Sequence, residues 1–138
     1  MTGLKSFFKN KSSPEPVEYA ASNRFTDEEG NPLKWVIRPL NSEDYDNIIE
    51  GSTKAIGKGR ERAMKTDINA FSKGVVTRGV IHPNLLDAEL QNSYGVHTPG
   101  DLLNKMLTAG EFIKLQQKIL EISGLDTTIE DDIEEAEN

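Results

Sequence analysis

The segment 17-VEYAASNRFTDEEGNPLKWVIR-38 alternates at both of its ends. Val17, Tyr19, Ala21 and Phe25 fall on odd positions, with Glu18, Ser22 and Arg24 between them. Leu33, Trp35 and Ile37 alternate with Lys34 and Arg38. A period of two places one face of a strand on a core and the other toward water. Between the two runs, Thr26 to Pro32 is polar, and Gly30 and Asn31 tolerate positive φ. The segment therefore reads as a β-hairpin over 17–38 with Trp35 and Tyr19 on the buried face. Two strands alone are marginally stable, so helices must cover that face.

The rest of the chain supplies helical signals. Pro39 closes the second strand, Asn41 or Ser42 can cap a helix, and Glu43 and Asp44 suit its positive end. Tyr45, Ile48, Ile49 and Ser52 then recur at helical spacing, which predicts a helix to about Ala55. Gly57-Lys58-Gly59-Arg60-Glu61-Arg62 reads as a basic loop. Glycines and bases can cradle a phosphate, but no strand precedes these and the full P-loop pattern is missing.

Thr66 or Asp67 can cap the next helix, in which Ile68, Phe71, Val75 and Val76 form a stripe to about Val80 before Pro83 breaks it. A short helix is predicted over Leu85 to Tyr94, stopped by Gly95. Thr98 and Pro99 open another, carrying Leu102, Leu103, Met106 and Leu107. Thr108 with Glu111 forms a capping-box pattern. The last helix runs to about Ser123 with Phe112, Leu115, Ile119 and Ile122 on one side, Ile113 and Leu120 widening the stripe, and Gly124 ending it.

The fold class expected is α+β and mostly helical: an N-terminal β-hairpin packed against four or five α-helices. A length of 138 residues fits one domain. The organisation expected is a flexible arm over 1–16, a folded domain over 17–124 (hairpin 17–38, helices 41–123) and a disordered acidic tail over 125–138.

Charge sharpens this division. The chain has 16 basic and 23 acidic residues, a net charge of −7. Asp126, Glu130, Asp131, Asp132, Glu134, Glu135 and Glu137 stand at the end with no base among them, so the body up to Gly124 is neutral. Such a segment buries too little apolar surface to offset its ordering entropy. Ile129 and Ile133 are four apart and can line one side of a helix on a partner. Net negative charge opposes duplex DNA or RNA as the main partner. A nucleic-acid-binding regulator would have to use Lys58, Arg60, Arg62 and Lys65.

There are no cysteines, which excludes disulfides and thiolate metal sites. No apolar run approaches the roughly 18 residues of a membrane span. Near the start, Lys5, Lys9 and Lys11 interrupt Leu4, Phe7 and Phe8, unlike an export signal. Those three apolar residues make a short amphipathic anchor the sharper alternative to a disordered leader. The two histidines, His82 and His97, lie in turns without a second ligand at metal spacing. The paired acids Asp131 and Asp132 sit where nothing fixes their geometry. Asp27, Glu28 and Glu29 lack the spacing of a calcium loop. No catalytic residue, metal site or cofactor is expected. The apolar stripes of the last two helices exceed what a hairpin and modest helices cover. The partner-binding residues expected are Leu103, Met106, Leu107, Phe112, Leu115 and Ile119.

Several segments resemble a known family in their order and spacing. They are Tyr19 to Phe25, Glu29-Gly30-Asn31-Pro32 and Trp35-Val36-Ile37-Arg38-Pro39, then Pro83-Asn84-Leu85, Asp87 to Gln91 and Ser93 to Val96. Leu103 to Leu107, Gly110-Glu111-Phe112 and the acidic end complete the set. From about Leu4 onward the chain resembles the XkdN-like phage tail assembly chaperones. The resemblance implies a protein of a phage or prophage that binds the tape-measure protein and keeps it soluble without ATP or catalysis. It also implies the host bacterial cytoplasm as location and absence from the finished virion. The alternative is a structural tail or baseplate component retained in the particle. Self-association stays open; neither nucleic acid nor membrane is expected as a partner.

Overall fold

The computed structural model describes residues 3–9 and 14–125. The acidic tail expected over 125–138 falls almost wholly outside them, as does part of the N-terminal arm. Residues Leu4–Phe7 form one 3-10 turn with no buried residue.

The expected pairing is present. β1 (Val17–Tyr19) runs antiparallel to β2 (Trp35–Ile37), with Val17 opposite Ile37 and Tyr19 opposite Trp35. The connection doubles back through a bridge between Thr26 and Pro32. Its tip is held by Asp27, whose carboxylate accepts the Glu29 and Asn31 N–H groups at 2.9 Å each. Gly30 takes φ 86° there, which a side chain would resist. Trp35 and Ile37 are buried and Tyr19 half-buried.

β2 becomes a central strand through a partner the sequence did not reveal. The helix expected to reach about Val80 ends at Gly79, and β5 (Val80–His82) pairs antiparallel with β2, opposite its β1 edge. β-branched Val80 and Ile81 suit a strand, and the Arg38 N–H donates to the Gly79 carbonyl at 2.8 Å at the crossing. Three strands with one covered face form a stable unit where a lone hairpin does not.

α1 (Ser42–Ser52) starts with a full capping box. Asn41 accepts the Asp44 N–H at 2.8 Å and Asp44 accepts the Asn41 N–H at 2.9 Å. Arg38 grips the same carboxylate with two hydrogen bonds of 2.8 and 3.0 Å, fixing the turn from strand to helix. That hydrogen bond from Arg38 holds the Asp44 carboxyl below its usual range.

A second correction follows α1. The helix expected to reach about Ala55 stops at Ser52, and the basic loop expected over 57–62 is the end of a second hairpin. Ser52 and Thr53 turn their hydroxyls onto the Ile48 and Ile49 carbonyls and compete with continuation of the helix. β3 (Thr53–Ile56) then pairs with β4 (Ala63–Thr66) around a 3-10 turn at Gly59–Glu61. Gly57 and Gly59 take φ of 84° and 60°. A Cβ on Gly57 would stand 2.6 Å from the Glu61 carbonyl oxygen.

α2 (Ile68–Gly79) begins at Asp67, which accepts the Asn69 and Ala70 N–H groups. α3 (Ala88–Ser93) starts later than the expected Leu85, behind Asp87, whose carboxylate accepts the Leu90 N–H, and α4 (Pro99–Met106) and α5 (Ala109–Ile122) follow their expected caps, Thr98 and Thr108. α1 and α2 lie close because Gly74 meets Ile48 and Tyr45 stands edge-on to Phe71 at 6.5 Å. α2 and α5 meet at Gly79 and Ile119. Trp35 and Ile37 of the sheet join Phe71, Val75 and Val76 of α2, Leu102 and Leu103 of α4, and Leu115, Ile119 and Leu120 of α5 in one core cluster. At the far end of α5, the Ser123 hydroxyl accepts the Leu40 N–H at 2.8 Å, pinning that end beside the start of α1.

Candidate functional site

The sharp corner between α4 and α5 is held by side-chain hydrogen bonds. Leu107 is extended, and Thr108 and Glu111 close a capping box around it with hydrogen bonds of 2.8 and 3.2 Å. Arg24, from the connection between β1 and β2, donates to the Glu111 carboxylate at 2.7 Å and to the Met106 carbonyl at 2.6 Å. One guanidinium thereby satisfies a helix-end carbonyl and ties the corner to the sheet. The Ser22 hydroxyl, the Thr108 N–H and the Arg24 guanidinium together pull the Glu111 carboxyl down to about 2.

Depressions open on two sides of this corner. The first, of about 500 Å³, lies between α2 and the start of α5. Leu107, Phe112 and Ile113 give it an apolar wall, and Asn69, Lys73 and Asn104 a polar rim. An apolar centre inside a polar rim is how protein interfaces are built. The second, of about 310 Å³, lies between the β1–β2 connection and α3, where Phe25, Leu33, Trp35, Leu90, Tyr94 and Met106 meet.

The six residues expected to bind a partner divide on this geometry. Leu103, Leu115 and Ile119 are 0% exposed and belong to the core. Met106 and Leu107 are buried as well, though each lends an atom surface to one of the two depressions. Phe112 alone is half-buried and lines the larger one. The core takes more of the helix stripes than expected because the third sheet strand and α2 complete its walls. Ile113, by contrast, is 52% exposed. At about 100° per residue it lies some 200° round the helix from Leu115, and that angle was the available signal. Arg24 was missed because nothing in its neighbourhood names Glu111 as a partner.

The β3–β4 hairpin carries the strongest positive charge. Lys54 stands opposite Lys65 across the two strands. Lys54 bridges to Asp67 at 3.2 Å, while Lys58, Arg60, Arg62 and Lys65 make no ion pair among the described residues. Ile56 and Ile68 line a depression of about 380 Å³ beside Lys54 and Lys65, and Asn69 lines both this one and the larger groove. His82 and His97 are exposed. Among the described residues, no three His, Asp or Glu side chains gather as metal ligands, and no helix is long and apolar enough to cross a membrane.

Comparison with known proteins decides the family. Residues 4–137 match the phage XkdN-like tail assembly chaperone proteins. The chain belongs to the XkdN-like tail assembly chaperones. Among similar proteins is YqbN of Bacillus subtilis (strain 168), 31% identical over 126 residues, which cover 90% of this chain and 85% of YqbN. The XkdN protein of the phage-like element PBSX, from the same strain, is 29% identical over 126 residues with the same coverage. A crystal structure of the protein yqbn superposes with a TM-score of 0.73 over 91% of this chain and 99% of that one, at 23% identity. That likeness shows that the two chains share a fold. The family is one of phage chaperone-type proteins rather than an enzyme family.

Proposed function

We propose that this chaperone binds the tape-measure protein of its phage or prophage and keeps it soluble in the host cytoplasm until the tail is assembled, then leaves. The observation that carries the reading is membership of the tail assembly chaperone family along the whole matched span. The open groove at the α4–α5 corner supports it. An amphipathic helix of a long, aggregation-prone client needs an apolar strip with a polar margin, and Leu107, Phe112 and Ile113 beside Lys73 and Asn104 provide one. The latch of Arg24 on Glu111 holds that strip rigid before the client arrives, which lowers the ordering cost of binding.

The client wall is therefore Leu107, Phe112 and Ile113, with Leu103, Met106, Leu115 and Ile119 supporting it from below. Nothing in this activity calls for a nucleotide, a metal or a covalent step. Co-expression with the tape-measure protein tests the reading through the soluble fraction of the client. Soluble client that co-purifies with the chain is the expected outcome. Insoluble client with nothing bound contradicts it. Recovery of the chain in purified particles at stoichiometric copy number would favour a retained tail or baseplate component instead.

A further inference from the structure

We propose that the acidic C-terminal segment, residues 126–138, docks on the basic face of the β3–β4 hairpin of the same chain. Three observations lead there. First, Lys54 and Lys65 are directly opposed across the strands, an arrangement of like charges that destabilises a pair unless an anion lies between them. Asp67 reaches only Lys54, so Lys65 is left facing solvent, with Lys58, Arg60 and Arg62 around the turn in the same condition. Second, that face is also apolar. Ile56, 49% exposed, and Ile68, 42% exposed, stand beside the two lysines in one depression. A matching ligand is acidic with a pair of branched apolar side chains. Residues 126–138 hold seven acids and no base, with Ile129 and Ile133 at a spacing that puts both on one side.

Third, the reach is right. Ser123 is pinned beside Leu40, at the start of α1, and the hairpin begins where α1 ends. α1 spans about 16 Å at 1.5 Å per residue, and the strands of the hairpin add about 13 Å. Thirteen residues extend up to about 43 Å at 3.3 Å each. A segment tethered so closely is presented at roughly millimolar effective concentration, so a contact with a Kd near 0.1 mM is about nine-tenths closed. Docking gives the unpaired cations their counter-charge and covers the hairpin's polyanion-attracting face. It does not depend on which client the chaperone takes.

The 138-residue chain has no cysteine, so Asn138→Cys in it accepts one spin label. Amide signals of residues 53–66 are expected to broaden at low salt. The broadening should fade near 1 M salt, where the Debye length is about 3 Å. It should vanish in Arg62→Glu/Lys65→Glu and return when Asp131→Lys and Asp132→Lys are added. Both hairpin positions are exposed, and folding is checked by the unchanged core signals. Undisturbed hairpin amides at low salt overturn the proposal. So does broadening that survives the charge reversal. A mixture of isotope-labelled chain without spin label and spin-labelled chain without isotope must show no broadening; broadening there assigns the contact to a second copy and overturns docking within one chain.

Discussion

Glu111 ties the corner between α4 and α5 to the connection between β1 and β2. Its carboxylate caps α5, holds Arg24 and, through Arg24, restrains the end of α4. Its folded pKa of about 2 lies below the ordinary 4.5, so the group binds fewer protons in the folded chain than in the unfolded one. Its contribution is therefore present in full above about 4.5 and is lost as pH falls toward 2. Asp44 and Asp67, also lowered, add slope of the same sign. Urea unfolding followed from pH 6 to pH 2.5 should show stability falling with pH in the wild type and falling less steeply in Glu111→Gln. Equal slopes in the two proteins would show that the latch does not couple to folding. At the same scale, a Cβ on Gly79 would stand 2.7 Å from both Cδ1 and Cγ2 of Ile119. Gly79→Ala should therefore cost about 1–3 kcal/mol by urea denaturation, since a branched side chain at full burial has little room to yield.

Among the elements, α5 shows why the sequence could not separate core residues from exposed ones. Its stripe correctly gave a helix, a cap and a buried side, yet a stripe does not say whether core or partner covers it. Truncating the covered side and charging the open side separate the two roles. Leu115→Ala should lose about 2–5 kcal/mol of stability, as for any fully buried leucine. Ile113→Asp should stay within about 0.5 kcal/mol of wild type in urea denaturation, being half exposed, and should abolish client capture. Helix starts at Asn41, Asp67, Thr98 and Thr108 were readable because each offers a side-chain acceptor to a first-turn N–H, whereas the cap at Asp87 went unread and that helix was expected from Leu85. β5 was not readable, because Val80 reads as the end of the preceding helix and the two residues left before Pro83 are too few to show alternation; they become a strand only by pairing with β2. The β3–β4 hairpin escaped for a different reason. Both of its faces are exposed, so its residues show no alternation of apolar and polar types.

At the scale of the molecule, the sheet and the helices share one core, and the features left over are surface ones: the corner groove, the apolar depression by α3 and the basic hairpin. Composition foretold a neutral body with charge concentrated at the end, and the structure adds that the body's own positive charge gathers on one hairpin. Family membership was legible from short motifs in order along the chain. The apolar wall of the corner groove, Leu107, Phe112 and Ile113, was not, because exposure depends on long-range packing that no local pattern reports. The most direct measurement is co-elution of purified chain with the tape-measure protein on a sizing column, for wild type, Ile113→Asp and Leu33→Asp in parallel. Leu33 lines the depression by α3 and, at 47% exposed against 52% for Ile113, is a matched control. The account predicts a stable complex for wild type and Leu33→Asp and none for Ile113→Asp. A complex that survives Ile113→Asp but is lost with Leu33→Asp would move the client to the other depression, and no complex with the wild-type chain would contradict the chaperone reading itself.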